Sequence, residues 1–211
     1  MKISVLFLYR QLERYILNAQ LGEFATVRTG LVVSRKKAEP DFEQSRVYEQ
    51  VSMRCFDSSV KIDKEHIDAF NAVENIDSRY LTQKGDVLLR LRAPSSAVYI
   101  VKEDEGLLIS SLLAVIRVDD AKVDAKYLAY YINSKAAQRI LKQETKGTAI
   151  PMLKTKDLEN LEVVLPPLVK QKELVRFLEL ADKEKDLLQK LTDEKQKLSQ
   201  AVLDTIIQRV I

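Results

Sequence analysis

A chain of 211 residues can bury a sizeable core, and its 34 basic against 31 acidic residues leave a charge of only +3, so it does not hold a polyanion by net charge alone. Any nucleic-acid footprint has to be a local patch. A single cysteine, Cys55, excludes an internal disulfide and suits a reducing, cytoplasmic setting. The apolar run over residues 1–8 is too short for a membrane span. Tyr9, Arg10, Glu13 and Arg14 follow it with no small-residue cleavage site, so neither an anchor nor a signal peptide is expected.

In chain order, Tyr9, Leu12, Ile16 and Ala19 recur at helical spacing, and Gly22 ends that helix. Residues 24–33 are β-branched and broken at Thr29-Gly30, which predicts strand, turn, strand. Residues 34–41 read as a loop carrying Arg35, Lys36 and Lys37, closed by Pro40. Residues 47–53 and 60–62 read as strands, and 64–70 as a helical turn. Lys84-Gly85-Asp86 is a tight turn launching a strand over 87–91; 98–101 is the next strand and 107–118 the longest. Asp124 is placed to cap a helix through Tyr127, Leu128 and Tyr131. A second helix over 134–144 turns Ala137, Ile140 and Leu141 inward. Residues 147–151 form a loop, Thr155 caps one turn through Leu158, and a strand at 161–165 follows. Strands and helices mixed without regular βαβ alternation predict an α+β domain over residues 1–165.

Residues 166–211 form the second region. No proline or glycine follows Pro166-Pro167, so nothing stops a helix that runs to the end. About 43 helical residues at roughly 1.5 Å each span about 65 Å, more than the width of the domain ahead of them. Phe177, Ala181, Leu188, Leu191, Leu198 and Val202 fall on alternating spacings of four and three, with Glu184, Lys195 and Thr205 in the intervening seam positions. Leu174, Leu180, Leu187, Leu203 and Ile206 widen the stripe. This is a heptad seam with polar interruptions and predicts a coiled coil with a second helix. The alternative is a helix packed on its own domain.

Several chemistries are excluded. The five glycines, Gly22, Gly30, Gly85, Gly106 and Gly147, are too dispersed for a dinucleotide fingerprint or a phosphate loop. His66 is the only histidine, in a charged run, and reads as a solvated surface residue; no metal site of several histidines and cysteines can be written. Glu144-Thr145-Lys146 has the Glu-x-Lys spacing of many metal-dependent nucleases, with Pro40-Asp41 as a distant second carboxylate, and stands as a competing reading. Three basic clusters remain. Arg28 with Arg35, Lys36 and Lys37 flanks the first loop. Arg90 and Arg92 alternate with Leu89 and Leu91, which at period two puts them on one strand face before Pro94-Ser95-Ser96. Lys142, Lys146 and Thr148 lie at a helix end and the glycine loop. Alone, each reads as a solvated face. Together they make a local anion-binding surface whose arginines suit guanine or phosphate and whose lysines and hydroxyls suit phosphate. The candidate contacts are Arg28, Arg35, Lys36, Lys37, Arg90, Arg92, Lys146 and Thr148.

An ordered set of motifs then resembles a known family. Leu21-Gly22-Glu23-Phe24-Ala25 with Val27-Arg28-Thr29-Gly30 resembles the opening of a target recognition domain, and Lys84-Gly85-Asp86-Val87-Leu88-Leu89 its turn and strand. Residues 126–134, KYLAYYINS, resemble its "YL-Y-LNS" helix. Lys146-Gly147-Thr148-Ala149-Ile150-Pro151 with Leu153, Asp157, Leu158 and Leu161 resembles its "G-(S/T)-x-I-P" segment, and Leu165-Pro166-Pro167-Leu168-Val169-Lys170-Gln171 its "LPPLxEQ" helix start. Order and spacing are similar to the specificity (S) subunit of type I restriction-modification systems. The resemblance implies a non-catalytic subunit that reads a bipartite site in double-stranded DNA. It further implies methyltransferase (M) subunits that bind S-adenosylmethionine and methylate adenine, nuclease (R) subunits, and no cofactor or metal in this chain. The sequence departs from the family in carrying one recognition domain and one long helix where two of each are usual, and Lys170 stands where an acidic residue is usual. The half size leaves open a homodimer, a pairing with another half, and a recognition-domain cassette or truncated remnant; twofold pairing through antiparallel C-terminal helices is the expected assembly. The competing expectation is a degenerate S-like coiled-coil adaptor that binds protein partners without reading DNA.

Overall fold

Among the described residues the strand-rich first part folds as three small sheets. A computed structural model of the chain describes residues 17–38, 45–56, 59–144 and 151–210, with the backbone only at 209 and 210. Its strands are β1 (Leu17–Gln20), β2 (Ala25–Thr29), β3 (Arg46–Val51), β4 (Asp68–Ala72), β5 (Val87–Arg90), β6 (Ala97–Tyr99), β7 (Leu108–Ile109), β8 (Leu113–Val118) and β9 (Glu162–Leu165). Its helices are α1 (Ala125–Asn133), α2 (Lys135–Glu144), α3 (Thr155–Glu159) and α4 (Leu168–Val210). The fold is a mixed α/β region followed by one long helix, the α+β class that the sequence predicts. It divides into two compact units, Met1–Lys172 and Glu173–Ile211.

The central sheet has the order β2-β8-β5-β6, antiparallel throughout. Its middle strands are buried on both faces, which is why Val87-Leu88-Leu89 and Leu113 to Ile116 read as unbroken apolar runs rather than alternating ones. Leu88, Val98, Leu113 and Val115 face one core with Val51, Cys55, Phe56, Ile62, Ile100, Leu107 and Ile109. The opposite face lies under α1, which packs across β5 and β6. A second sheet, β4-β3-β7, pairs β3 antiparallel with β4 and parallel with β7. A third joins β1 to β9, the first and last described strands, as one antiparallel pair.

Several local expectations are corrected. Residues 17–20, including Ala19, are strand rather than helix; the rest of that expected helix lies outside the described residues. The second strand expected after Gly30 is absent: Leu31 makes only a bridge to Ser110, and a 3-10 turn, Val33–Arg35, follows. The reason is a close approach. A Cβ on Gly30 would lie 2.3 Å from Ser110 O and 2.4 Å from Ile109 O, so only glycine lets these backbones meet. The same junction splits the strand expected over 107–118. Leu108–Ile109 joins one sheet and Leu113–Val118 another, with a turn between them. Residues 60–62 form a bridge, Phe56 to Ile62, instead of a strand. Residues 64–70 form a 3-10 turn, Lys64–His66, that runs into strand β4. Ile140, expected inward, is 37% exposed because α2 buries only Ala137 and Leu141. Lys154, not Thr155, occupies the cap position of α3. The expected glycine loop at 147–150 lies outside the described residues.

Candidate nucleic-acid interface

The antiparallel register sets which side chains share a face. Thr26 stands opposite Arg117 and Arg28 opposite Val115, while Leu88 stands opposite Val115 and Arg90 opposite Leu113. Arg28, Arg90 and Arg117 therefore lie on one face of the central sheet, the face that carries Leu88 and Val115 into the core. Asp86, one residue before the ladder that starts at Val87, is buried and meets Arg117 as a fork: Nε donates to Oδ1 at 2.6 Å and Nη2 to Oδ2 at 3.1 Å. The Gln83 amide also donates to Asp86 Oδ2, at 3.0 Å. This turn is set by Gly85, whose φ of 92° suits glycine. Arg28 is different. Its Nε and Nη2 are shielded from solvent and find no hydrogen-bond partner among the described residues. Burial first, and Arg117 second, pull its guanidinium below the ordinary arginine value, with Asp86 opposing. Arg79 and Asp77 also act on it through space.

The other predicted contacts are dispersed. Arg35 and Lys37 are exposed. Lys36 is ion-paired with Glu74, and Lys37 bridges to Ala72 of β4, so this cluster sits beside the second sheet. Arg90 ends β5; its Nε is shielded and, like the Ser96 hydroxyl, finds no hydrogen-bond partner among the described residues, although the Arg90 amide donates to Ser96 O at 3.0 Å. Arg92 does not share a strand with Arg90. The strand stops at Arg90, and Arg92 is exposed and bridges to Met152. Lys146 and Thr148 lie outside the described residues, as do Asp41 and Lys146 of the nuclease reading. Among the described residues no group of His, Cys, Asp and Glu is arranged to hold a metal ion. Sequence reading missed Arg79, Asp86 and Arg117. The signal for Arg117 was one charge in an otherwise apolar strand.

The motif residues mostly stitch elements together. The Asp124 carboxylate caps α1 by accepting from the Lys126 and Tyr127 amides. From α1, Tyr127 and Tyr131 donate their hydroxyls to Val164 O at 2.7 Å and Glu162 O at 3.1 Å, tying the helix to β9. Asn133 pairs with the edge of β6 as a strand would: Nδ2 donates to Ala97 O and Oδ1 accepts from Ala97 N–H, both at 2.8 Å. Gln171 is fully buried in the first turn of α4. Its Oε1 accepts from Asp124 N–H at 2.9 Å, and its Nε2 donates to Pro166 O at 2.8 Å and Lys122 O at 3.3 Å.

The profile described as "Type I restriction modification DNA specificity domain" matches residues 18–196. The chain belongs to this family. Curated relatives agree with that placement. The type I restriction enzyme MjaVIII specificity subunit of Methanocaldococcus jannaschii is 35% identical over 98 residues, which is 46% of this chain and 22% of the relative. The EcoBI specificity subunit of Escherichia coli is 28% identical over 128 residues, 59% of this chain and 27% of the relative. Among solved structures, the HsdS subunit of Thermoanaerobacter tengcongensis superposes with a TM-score of 0.64 at 20% identity, covering 92% of this chain and 49% of the other. A chain from a study of complex assembly and conformational transition in a type I restriction-modification system gives 0.68 at 21%, covering 93% and 50%. These likenesses show a shared specificity-subunit fold. The chain spans about half the length of these solved chains and about a quarter of the curated relatives. Among the described residues of this specificity domain no helix is long and apolar enough to cross a membrane.

Proposed function

We propose that this specificity domain reads DNA sequence for a type I restriction-modification complex, directing adenine methylation, and with it restriction, to a bipartite site. The observation that carries the reading is the family match over residues 18–196, on a domain that presents arginines from one sheet face. Catalysis and S-adenosylmethionine belong, on this reading, to M subunits, and cleavage to R subunits. The candidate DNA contacts are Arg28, Arg35, Lys37, Arg90, Arg92, Lys146 and Thr148. Lys36, already paired with Glu74, has to exchange that carboxylate for a phosphate to join them.

The assembly proposed is a homodimer through α4. Its support is the seam: Phe177, Leu188, Leu191, Leu198 and Val202 are all more than half exposed, and Ala181 is exposed as well. An apolar stripe of that extent needs cover. Antiparallel pairing brings Glu184 of one copy towards Lys195 of the other, whereas parallel pairing stacks like on like. A twofold pair reads a palindrome of two half-sites with unread base pairs between them. The test is co-expression of the chain with an M subunit from the same system and mapping of methylated adenines across the host genome. The expected result is one palindromic, interrupted motif that vanishes when this chain is omitted. Methylation that is independent of the chain would leave the coiled-coil adaptor as the reading.

A further inference from the structure

Among the described residues the charges that act most on Arg28 are Arg117 and Asp86, then Arg79 and Asp77, three guanidinium groups with two carboxylates. Both carboxylates are committed. Asp86 is held by the Arg117 fork and the Gln83 amide. Asp77 faces Arg79, with Nε 3.4 Å from Oδ2, and its Oδ1 accepts the Arg79 amide at 2.9 Å. Arg79 further lies over the Tyr80 ring, 4.8 Å from its centre. Among the described residues Arg28 is thus the cation of this cluster with no ion pair of its own, and two of its shielded nitrogens lack partners there. Unpaired buried donors on a charged group are unfavourable, and like charge adds to that. A methionine would fill a similar space without either cost.

We propose that this cluster is built one anion short and that Arg28 takes a phosphate group into it, which in function is a phosphate of the DNA backbone. The proposal rests on the DNA-reading function above. One phosphodiester charge brings three cations and two anions to neutrality, and the guanidinium fork matches two phosphate oxygens. β2 is an edge strand of the central sheet, and among the described residues no further strand pairs along its outer side. Arg28 is only part-buried, although its Nε and Nη2 are shielded. A mid-strand residue anchored this way is suited to holding the duplex in register rather than reaching a base edge.

The full chain, with Arg28→Met and Arg28→Lys variants, tests this in two arms. In the first, thermal melting is compared in chloride and in inorganic phosphate at matched ionic strength. Phosphate is expected to raise the Tm of the wild type and not of Arg28→Met, and in chloride Arg28→Met melts no lower than the wild type. In the second, DNA binding is titrated against salt with the M subunit present. Arg28→Met is expected to lose on the order of tenfold in affinity on specific and non-specific duplexes alike, with the salt slope smaller by about one. Arg28→Lys keeps the charge, loses the fork and falls between. If Arg28→Met melts lower in chloride and phosphate protects both proteins equally, the residue is structural and the proposal is overturned. Lost phosphate protection with unchanged DNA affinity overturns the assignment to the DNA backbone and leaves free phosphate as the ligand. Failure of the wild type to prefer any DNA sequence refutes the parent reading instead, while the phosphate arm still decides the cluster.

Discussion

The Tyr127 phenol donates to Val164 O at 2.7 Å from a site buried enough to push its pKa from 10.0 up to about 12. The folded value lies above the unfolded one, so the neutral phenol's contribution to stability is complete below pH about 10 and is lost as pH rises towards about 12. Tyr127→Phe should therefore lower stability at pH 7 by about 1 kcal/mol, the net worth of one hydrogen bond. It should also make stability fall less steeply between those two pH values, while Tyr131 still titrates. Urea unfolding at a series of pH values measures both; an unchanged alkaline slope would contradict the burial account. Residues of this kind were partly legible. Asp124 announces its cap because a short acceptor precedes a helical apolar period. That two Arg28 nitrogens lack partners among the described residues was not legible, because it depends on which carboxylates its neighbours have already taken.

At the scale of elements, the sequence marked where chains turn better than how they pair. The Lys84-Gly85-Asp86 turn, the α1 cap and the start of α4 after Pro166-Pro167 follow from local chemistry, and Pro167 O accepts the Lys170 and Gln171 amides that open the helix. The division of residues 107–118 between two sheets does not. It is imposed by the meeting of Gly30 with Ile109 and Ser110, which are distant in sequence. Strand β4 was hidden for a similar reason: Asp68-Ala69-Phe70-Asn71-Ala72 has modest β-propensity and is fixed by pairing with β3. Gln171 offers a test at this scale. Gln171→Leu fits the volume but leaves Asp124 N–H, Lys122 O and Pro166 O without their partner. The expected loss is about 2–4 kcal/mol in chemical denaturation. A loss under about 0.5 kcal/mol would show that water replaces all three bonds and that Gln171 does not fasten the root of the helix.

For the molecule as a whole, the family and the α+β class were legible because motif order survives where identity is low: the solved chains that superpose on it share only about a fifth of their aligned residues with this chain yet keep its fold. The interface was less so. Arg28 and Arg90 share a sheet face only through strand register, Lys36 is engaged by Glu74, and Arg92 leaves the strand that was expected to hold it. The central claim is that the domain reads sequence rather than serving as a partner adaptor or a metal-dependent nuclease. The most direct measurement is competition binding in EDTA of the chain, with its M subunit, to a duplex carrying the motif mapped by methylation against the same duplex with one half-site scrambled. The account predicts at least about 10³-fold preference for the intact site, undiminished by removal of divalent metal. Equal affinity for the two duplexes, or a preference that appears only with metal and is accompanied by cleavage, would contradict it.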